Sequence, residues 1–195
     1  MATTYATPEE IFEAKKKSAK PMMWIGIVGI VMFFSGLTSA YVIRQAQGDW
    51  LYFDVPSIFF GSTAVIIVSS ITMLLAQRAG RRGNAQQVST FLIATLMMGI
   101  AFTIMQFMGF YELYDRGITF TGEGSNISGS FFIILIFAHA AHVFAGLLAL
   151  IFTTVKALLN KYSAENHVGI DVCGIYWHFL DVLWIYLILF LVFIR

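Results

Sequence analysis

Apolar residues along this chain fall into five long runs, at about 21–43, 56–76, 88–111, 130–155 and 172–194, joined by short polar linkers. Each run holds at least 20 residues, enough at ~1.5 Å per residue to cross a hydrocarbon core of ~30 Å. Transmembrane strands would be about 9–11 residues of strict alternation, a pattern these runs lack. The expected fold is therefore all-α: a polytopic bundle of five transmembrane helices filling residues 21–195 behind a polar segment, 1–20. That segment carries a helix signature of its own. Thr7 is placed to cap, Pro8 to take the first turn and Glu10 to complete a capping box of a short helix to about residue 17, beside which a plain solvated or lipid-surface tail is the favoured reading. The first run is no secretory signal, being too long, lacking a small-residue cleavage site and starting after 20 polar residues.

Within the runs, small and polar residues recur at helical spacing and predict which faces meet protein. Gly29, Gly36 and Ala40 form one stripe in the first run, and Gly99, Thr103 and Gln106 another in the third, with Phe110 beyond. His139, His142, Gly146, Ala149 and Thr153 share an arc of roughly 80° in the fourth. Gly174, His178, Asp181 and Ile185 align in the fifth. Such stripes let helices approach and hydrogen-bond where lipid supplies no hydrophobic drive between them.

Composition agrees with a membrane protein: 58% of the 195 residues are hydrophobic and only 12% charged, against about 25% charged in soluble domains. The single cysteine, Cys173, excludes an intrachain disulfide and a cysteine-built metal cage, and the net charge of +1 gives no sign of a nucleic-acid partner. The distribution of charge says more. Lys15, Lys16, Lys17, Lys20, Arg78, Arg81, Arg82, Lys156 and Lys161 fall on one side of the expected topology, leaving Arg44, Arg116 and Arg195 on the other. By the positive-inside bias the N-terminus is cytoplasmic and the C-terminus outside. Trp24, Trp50, Tyr52 and Tyr162 fall near the expected interfaces, as an aromatic belt requires.

The candidate chemistry lies in two pairs three residues apart, His139/His142 and His178/Asp181. An ionisable group within a span costs roughly 2.5–3.5 kcal/mol on insertion scales, so it faces protein or water and marks a functional or assembly surface. The first pair sits ~13–18 Å from its end of the span and the second ~9–14 Å from the other. Two histidines at i, i+3 cannot take opposite axial positions of one haem, so ligation would need His139 or His142 opposite His178. Metal or haem ligation, a lipid-headgroup site and a proton path all stay open on the residues alone. A buried hydrogen-bond network tying the fourth and fifth helices to each other or to a partner is the favoured reading. Glu112 reads as an interfacial anchor with a proton or lipid site as its alternative, and Gln106 as a bridge between helices. Arg78, Arg81 and Arg82 read as an inside loop able to hold lipid phosphates. No phosphate loop, Ser/His/Asp order or twin metal motif is present, so no catalytic site is expected on this chain.

The run Tyr176-Trp-His-Phe-Leu-Asp-Val-Leu-Trp184, with His-x-x-His-Val-x-x-Gly from His139 to Gly146, His-x-Gly from His167 to Gly169 and Phe131-Phe132, resembles subunit III of haem-copper terminal oxidases. Met32–Gly36, Phe102–Gln106 and Phe110–Glu112 extend the likeness, so that it covers nearly the whole membrane part. Five spans match the short bacterial form, without the two leading helices of the seven-helix version.

The resemblance implies an accessory, non-redox subunit in a bacterial inner membrane. It would bind no haem or copper itself, those groups lying in partner subunits I and II. It would hold structural phospholipid, steady subunit I and support proton uptake during aerobic electron transport. His139, His142, His178, Asp181, Glu112 and Asp171 match polar positions of the family pattern, none of them as a redox ligand. One departure concerns Ile30, which stands where many members of the family carry a carboxylate, and this removes the basis for a proton-antenna role of the first helix. A quinol oxidase subunit III and the related accessory protein of nitric oxide reductase fit the same residues. A small transporter would show a broken helix and an inverted repeat, and neither is visible. The electron donor, haem type and membership of a larger respiratory supercomplex are not encoded in these residues.

Overall fold

A computed structural model describes residues 7–46, 54–117 and 127–194. Five helices account for nearly all of them: α1 (Pro8–Gln45), α2 (Ile58–Arg81), α3 (Ala85–Asp115), α4 (Ile127–Leu158) and α5 (Val168–Phe193). All five contain a stretch long and apolar enough to cross a membrane. The belt residues Trp50 and Tyr52, and the basic residue Arg195, lie outside the described residues.

The capping box forms as the sequence predicts. Thr7 Oγ1 accepts from the Glu10 amide at 3.3 Å, while Glu10 Oε2 accepts from the Thr7 amide at 2.7 Å. Neither a separate short helix nor a plain tail forms, because α1 runs unbroken through Pro21 for 38 residues. Proline strands the carbonyl four residues back, here that of exposed Lys17, at the polar end of the helix where its loss is tolerated. The other helices likewise outrun the apolar runs at one end or both, since a helix stops at its caps and not where hydropathy falls. Between α2 and α3 the chain reverses within three residues. Gly83 adopts φ +71°, and Asn84 caps α3 through Oδ1, which accepts from the Gln87 amide at 3.1 Å. Asn160 (φ +52°) closes α4 in the left-handed conformation that Asn tolerates.

Four helices form a ring in which α2 touches α3 and α5, and α4 touches α3 and α5; α1 stands outside it, in the groove between α4 and α5. The ring follows from heptad spacing of the buried residues. Phe59, Ile66 and Met73 repeat on α2, Phe132, His139, Gly146 and Thr153 on α4, and Ile170, Trp177, Trp184 and Leu191 on α5. A seven-residue repeat keeps one face turned to its neighbours in left-handed packing near +20°. On α3, Val88, Thr95, Phe102 and Gly109 do the same.

Several small-residue stripes mark true contacts. A Cβ on Gly99 would lie 2.7 Å from the Trp177 ring, one on Gly109 2.5 Å from Phe59, and one on Gly146 2.8 Å from Leu180. Gly174 lies against the Gln77 amide. The stripe of the first run does not behave this way: Gly29, Gly36 and Ala40 are exposed, with nothing within 4 Å of a Cβ at either glycine. Instead α1 buries Ile27, Phe34, Thr38 and Tyr41, a face roughly 150° round the helix. Phenylalanine and tyrosine fill the open α4/α5 groove better than glycine, because α1 stands off the ring and large side chains must span the gap. Ala149 is exposed as well, at the edge of its arc. Trp24 is 57% exposed. Tyr162 is half-buried instead, tucked against Gly169; burial pushes its phenol pKa up from 10.0, with the Thr153 hydroxyl opposing.

Candidate functional site

The fifth helix supplies most of the polar groups and α2 supplies their partners. Trp177 Nε1 donates to Ser69 Oγ at 3.1 Å, Trp184 Nε1 donates to Thr63 Oγ1 at 2.9 Å, and His178 Nδ1 lies 2.7 Å from Ser70 Oγ. Asp181 comes from the same helix face, its Oδ2 4.0 Å from His178 Nδ1. Its side chain is 4% exposed, and neither carboxylate oxygen has a hydrogen-bond partner among the described residues. Asp181 is thus turned inward, while His178, a quarter exposed, lies at the α2–α5 seam; these side-chain bonds tie the fifth helix to the second and not, as the sequence suggests, to the fourth. Thr95 extends the seam to α3, its hydroxyl 2.8 Å from that of Thr72.

His139 occupies the middle of the ring. It is 1% exposed and stacked on Trp184 at 5.3 Å between centroids, with Phe102 edge-on at 6.4 Å. The void beside it, lined by Phe102, Trp177 and Asp181 among others, is narrower than a water molecule. His142, one turn on, faces a different environment. Its Nδ1 bonds the Ala138 carbonyl at 2.7 Å, and its ring meets Phe34 of α1 at 5.5 Å. The two histidines therefore share a helix face but not a site: one points into the ring and the other into the α1 groove, with Phe34 wedged against both. Tyr176 completes that side by donating to the His142 carbonyl at 3.2 Å.

At the end where the basic linkers gather, Asp171 is buried and accepts from Lys20 Nζ at 2.6 Å, with Arg81 at 3.6 Å and His167 at 3.8 Å. Residues of α1, α2 and the turn into α5 meet there. Arg78, Arg81 and Arg82 are all exposed. At the other end Glu112 pairs with Arg116, whose second nitrogen donates to the Asp54 carbonyl at 3.2 Å. Gln106 bridges helices: its Nε2 donates to Ser62 Oγ at 3.0 Å.

The arrangement brings Asp181, His178 and His139 into one polar seam and leaves His142, Glu112 and the arginines elsewhere. Among the described residues no three His, Cys, Asp or Glu side chains converge as a metal-ligand set. What the seam does chemically is join helices by hydrogen bonds, each of average worth ~0.6 kcal/mol within a membrane. The sequence reading passed over the α2 half of it. Its signal is the seven-residue repeat of Ser62/Ser69 and Thr63/Ser70, the same interval that separates Trp177 from Trp184. Asp171 stood out only through resemblance, because an acidic residue in a first helical turn is ordinary.

A family model described as Cytochrome c oxidase subunit III matches residues 52–194. The chain belongs to the cytochrome c oxidase subunit III family. Among its relatives, a probable cytochrome c oxidase subunit 3 of Mycobacterium leprae is 33% identical over 174 residues, covering 85% of this chain and 82% of that one. One from Nocardia farcinica is 29% identical across the full length of both chains. A cytochrome c oxidase subunit 3 of Spodoptera frugiperda is 32% identical over 69% of this chain and 86% of its own. The family match thus takes in α2 to α5 and the whole polar seam, including the block from Tyr176 to Trp184. Met32–Gly36 of α1 lies before it.

Proposed function

We propose that this chain is the accessory, non-redox third subunit of a haem-copper oxygen reductase. In this reading it packs beside subunit I, with subunit II completing the core, and haem and copper are held by those partners. The observation that carries it is the direction of the ionisable side chains. His139, His178 and Asp181 are turned into this chain's own ring, among side chains that tie α2, α3 and α5 together. The outward surface, by contrast, is apolar and broad enough for lipid and partner helices, with Phe107, Phe137 and Phe144 all more than 60% exposed. Such a chain stabilises a complex rather than carrying electrons.

The N-terminus is on the cytoplasmic side of a bacterial inner membrane, where the nine basic residues named above gather. Arg78, Arg81 and Arg82 there contact the phosphates of structural phospholipid. Support of proton uptake would come without a carboxylate at Ile30.

Removing the chain from the purified complex tests this reading. The remaining subunits should keep their haem spectrum and an initial oxygen-reduction rate within a few-fold of the intact enzyme, then lose activity faster over successive turnovers. Stoichiometric loss of haem or copper with the chain would overturn it and reopen a ligand role for His139, His142 or His178.

A further inference from the structure

Asp181 stands at the middle of α5, where a bilayer offers no water to a charge. Its side chain is 4% exposed, and both carboxyl oxygens are buried without a hydrogen-bond partner among the described residues. The void beside it is too narrow for a water molecule. An ionised carboxyl in such a place is so costly that the group takes up a proton instead, unless a cation stands beside it.

Among the described residues, the three helices that α5 touches bring no such cation. On α1, Lys20 is engaged with Asp171, ten residues or ~15 Å back along α5, and Arg81 of α2 and His167 turn to that same carboxylate. The α2 groups that reach α5 around Asp181 are hydroxyls: Ser69 on Trp177, Ser70 on His178 and Thr63 on Trp184. From α4 comes His139, boxed by the rings of Trp184, Phe102 and Phe34, its own Nδ1 without a partner. His142 is turned the other way, onto α1. That leaves His178, on α5 itself, and its bonds keep it neutral. Its Nδ1 is 4.0 Å from Asp181 Oδ2 but 2.7 Å from Ser70 Oγ. An imidazolium carries N–H on both nitrogens, yet Nε2 is buried with nothing to accept from it. His178 therefore holds one proton, not two, and gives Asp181 no countercharge.

We propose that Asp181 is a proton-binding site of the ring: a neutral carboxylic acid whose proton is a fixed part of the fold and not a station on a conducting path. Removing that proton leaves a carboxylate with neither cation nor water, so α2 and α5 must part before it can leave. The acid is thus tied to closure of the α2–α5 seam. The inference stands apart from the chain's place in an oxidase, since removal of the subunit reads assembly and infrared absorption reads this one group.

The test is infrared spectroscopy of the intact complex purified with this chain. The carbonyl band of an un-ionised carboxylic acid should be present at neutral pH, absent from Asp181→Asn and still present, at a shifted frequency, in His178→Gln. On transfer to heavy water the band should move only over minutes to hours, the timescale of local opening. Should Asp181→Asn not assemble, carbon-13 in the aspartate carboxyls takes its place: the band sensitive to His178→Gln must move with that label. No such band in the wild-type complex, or one that arises only in His178→Gln, would mean an ionised Asp181 paired with an imidazolium and would overturn the proposal. So would a band that moves at once in heavy water, which puts Asp181 on a water-connected path, or one that Asp181→Asn or the label leaves unchanged.

Discussion

A methyl group at Gly99 would sit 2.7 Å from the Trp177 ring and 3.0 Å from Leu147, and Trp177 cannot retreat without giving up its bond to Ser69. Gly99→Ala should therefore cost about 1–3 kcal/mol, the usual range for overpacking, seen as a lower unfolding temperature of the solubilised chain. Gly36→Ala is the control. Nothing lies within 4 Å of its Cβ, so its effect should stay within about ±0.5 kcal/mol, with a small gain from helix propensity. Equal melting of the two variants would refute the packing shown for α3 and α5. The same contrast separates His139 from His142. Three residues apart, they differ by one turn, and that turn carries one into the ring and the other against Phe34.

Among the helices, α1 is the least secured. It contacts only α4 and α5, through Phe34, Tyr41 against Phe190 at 5.1 Å, and the Tyr186 hydroxyl donating to Thr38 at 3.1 Å. At its polar end the ion pair Lys20–Asp171 fastens it. Lys20 is 44% exposed and Asp171 is buried, so the two partners should behave differently on substitution. Lys20→Met should cost no more than about 1 kcal/mol, as for an exposed charge, since Arg81 and His167 still face the carboxylate. Asp171→Ala should cost more, because it leaves three cationic or polar neighbours without their shared acceptor and a gap at the start of α5. Hydrogen exchange should show the first turns of α1 opening faster in both variants and the ring helices unchanged in Lys20→Met. Faster exchange spread evenly over all five helices would contradict a peripheral α1.

For the molecule as a whole, alternation of five helices puts the N-terminal lysines, the α2–α3 turn and the α4–α5 loop at one end, and the contacts of Lys20 and Arg81 with Asp171 agree. Which side of the membrane that end faces is a matter of charge, and the proposed orientation puts its nine basic residues inside, as the positive-inside bias requires. Cysteines introduced at Arg81 or Lys161 should react with an impermeant reagent only from the cytoplasmic side, and one at Tyr114 only from the opposite side. Native Cys173 is buried and should contribute little background. Labelling of position 114 from within would reverse the orientation.

Hydropathy alone determined the five helices and their membrane character, because a span must satisfy its own backbone and be apolar for about twenty residues whatever its neighbours do. The capping box at Thr7 was equally local, and so was legible. The block from Tyr176 to Trp184 carried the family. What needed the tertiary structure was every question of direction. A stripe of small residues says that a face can approach another helix, not that it does: Gly99 and Gly109 meet aromatic rings, while Gly29 and Gly36 meet nothing. The seam between α2 and α5 was hidden because Ser and Thr in a membrane helix can bond their own preceding carbonyls, so only the arrival of Trp177, His178 and Trp184 shows which hydroxyls join helices. Likewise Gln106 reads in sequence as a bridge. That its amide nitrogen is the arm that makes the bridge depends on Ser62, 44 residues away and on another helix, having already given its proton to Phe59.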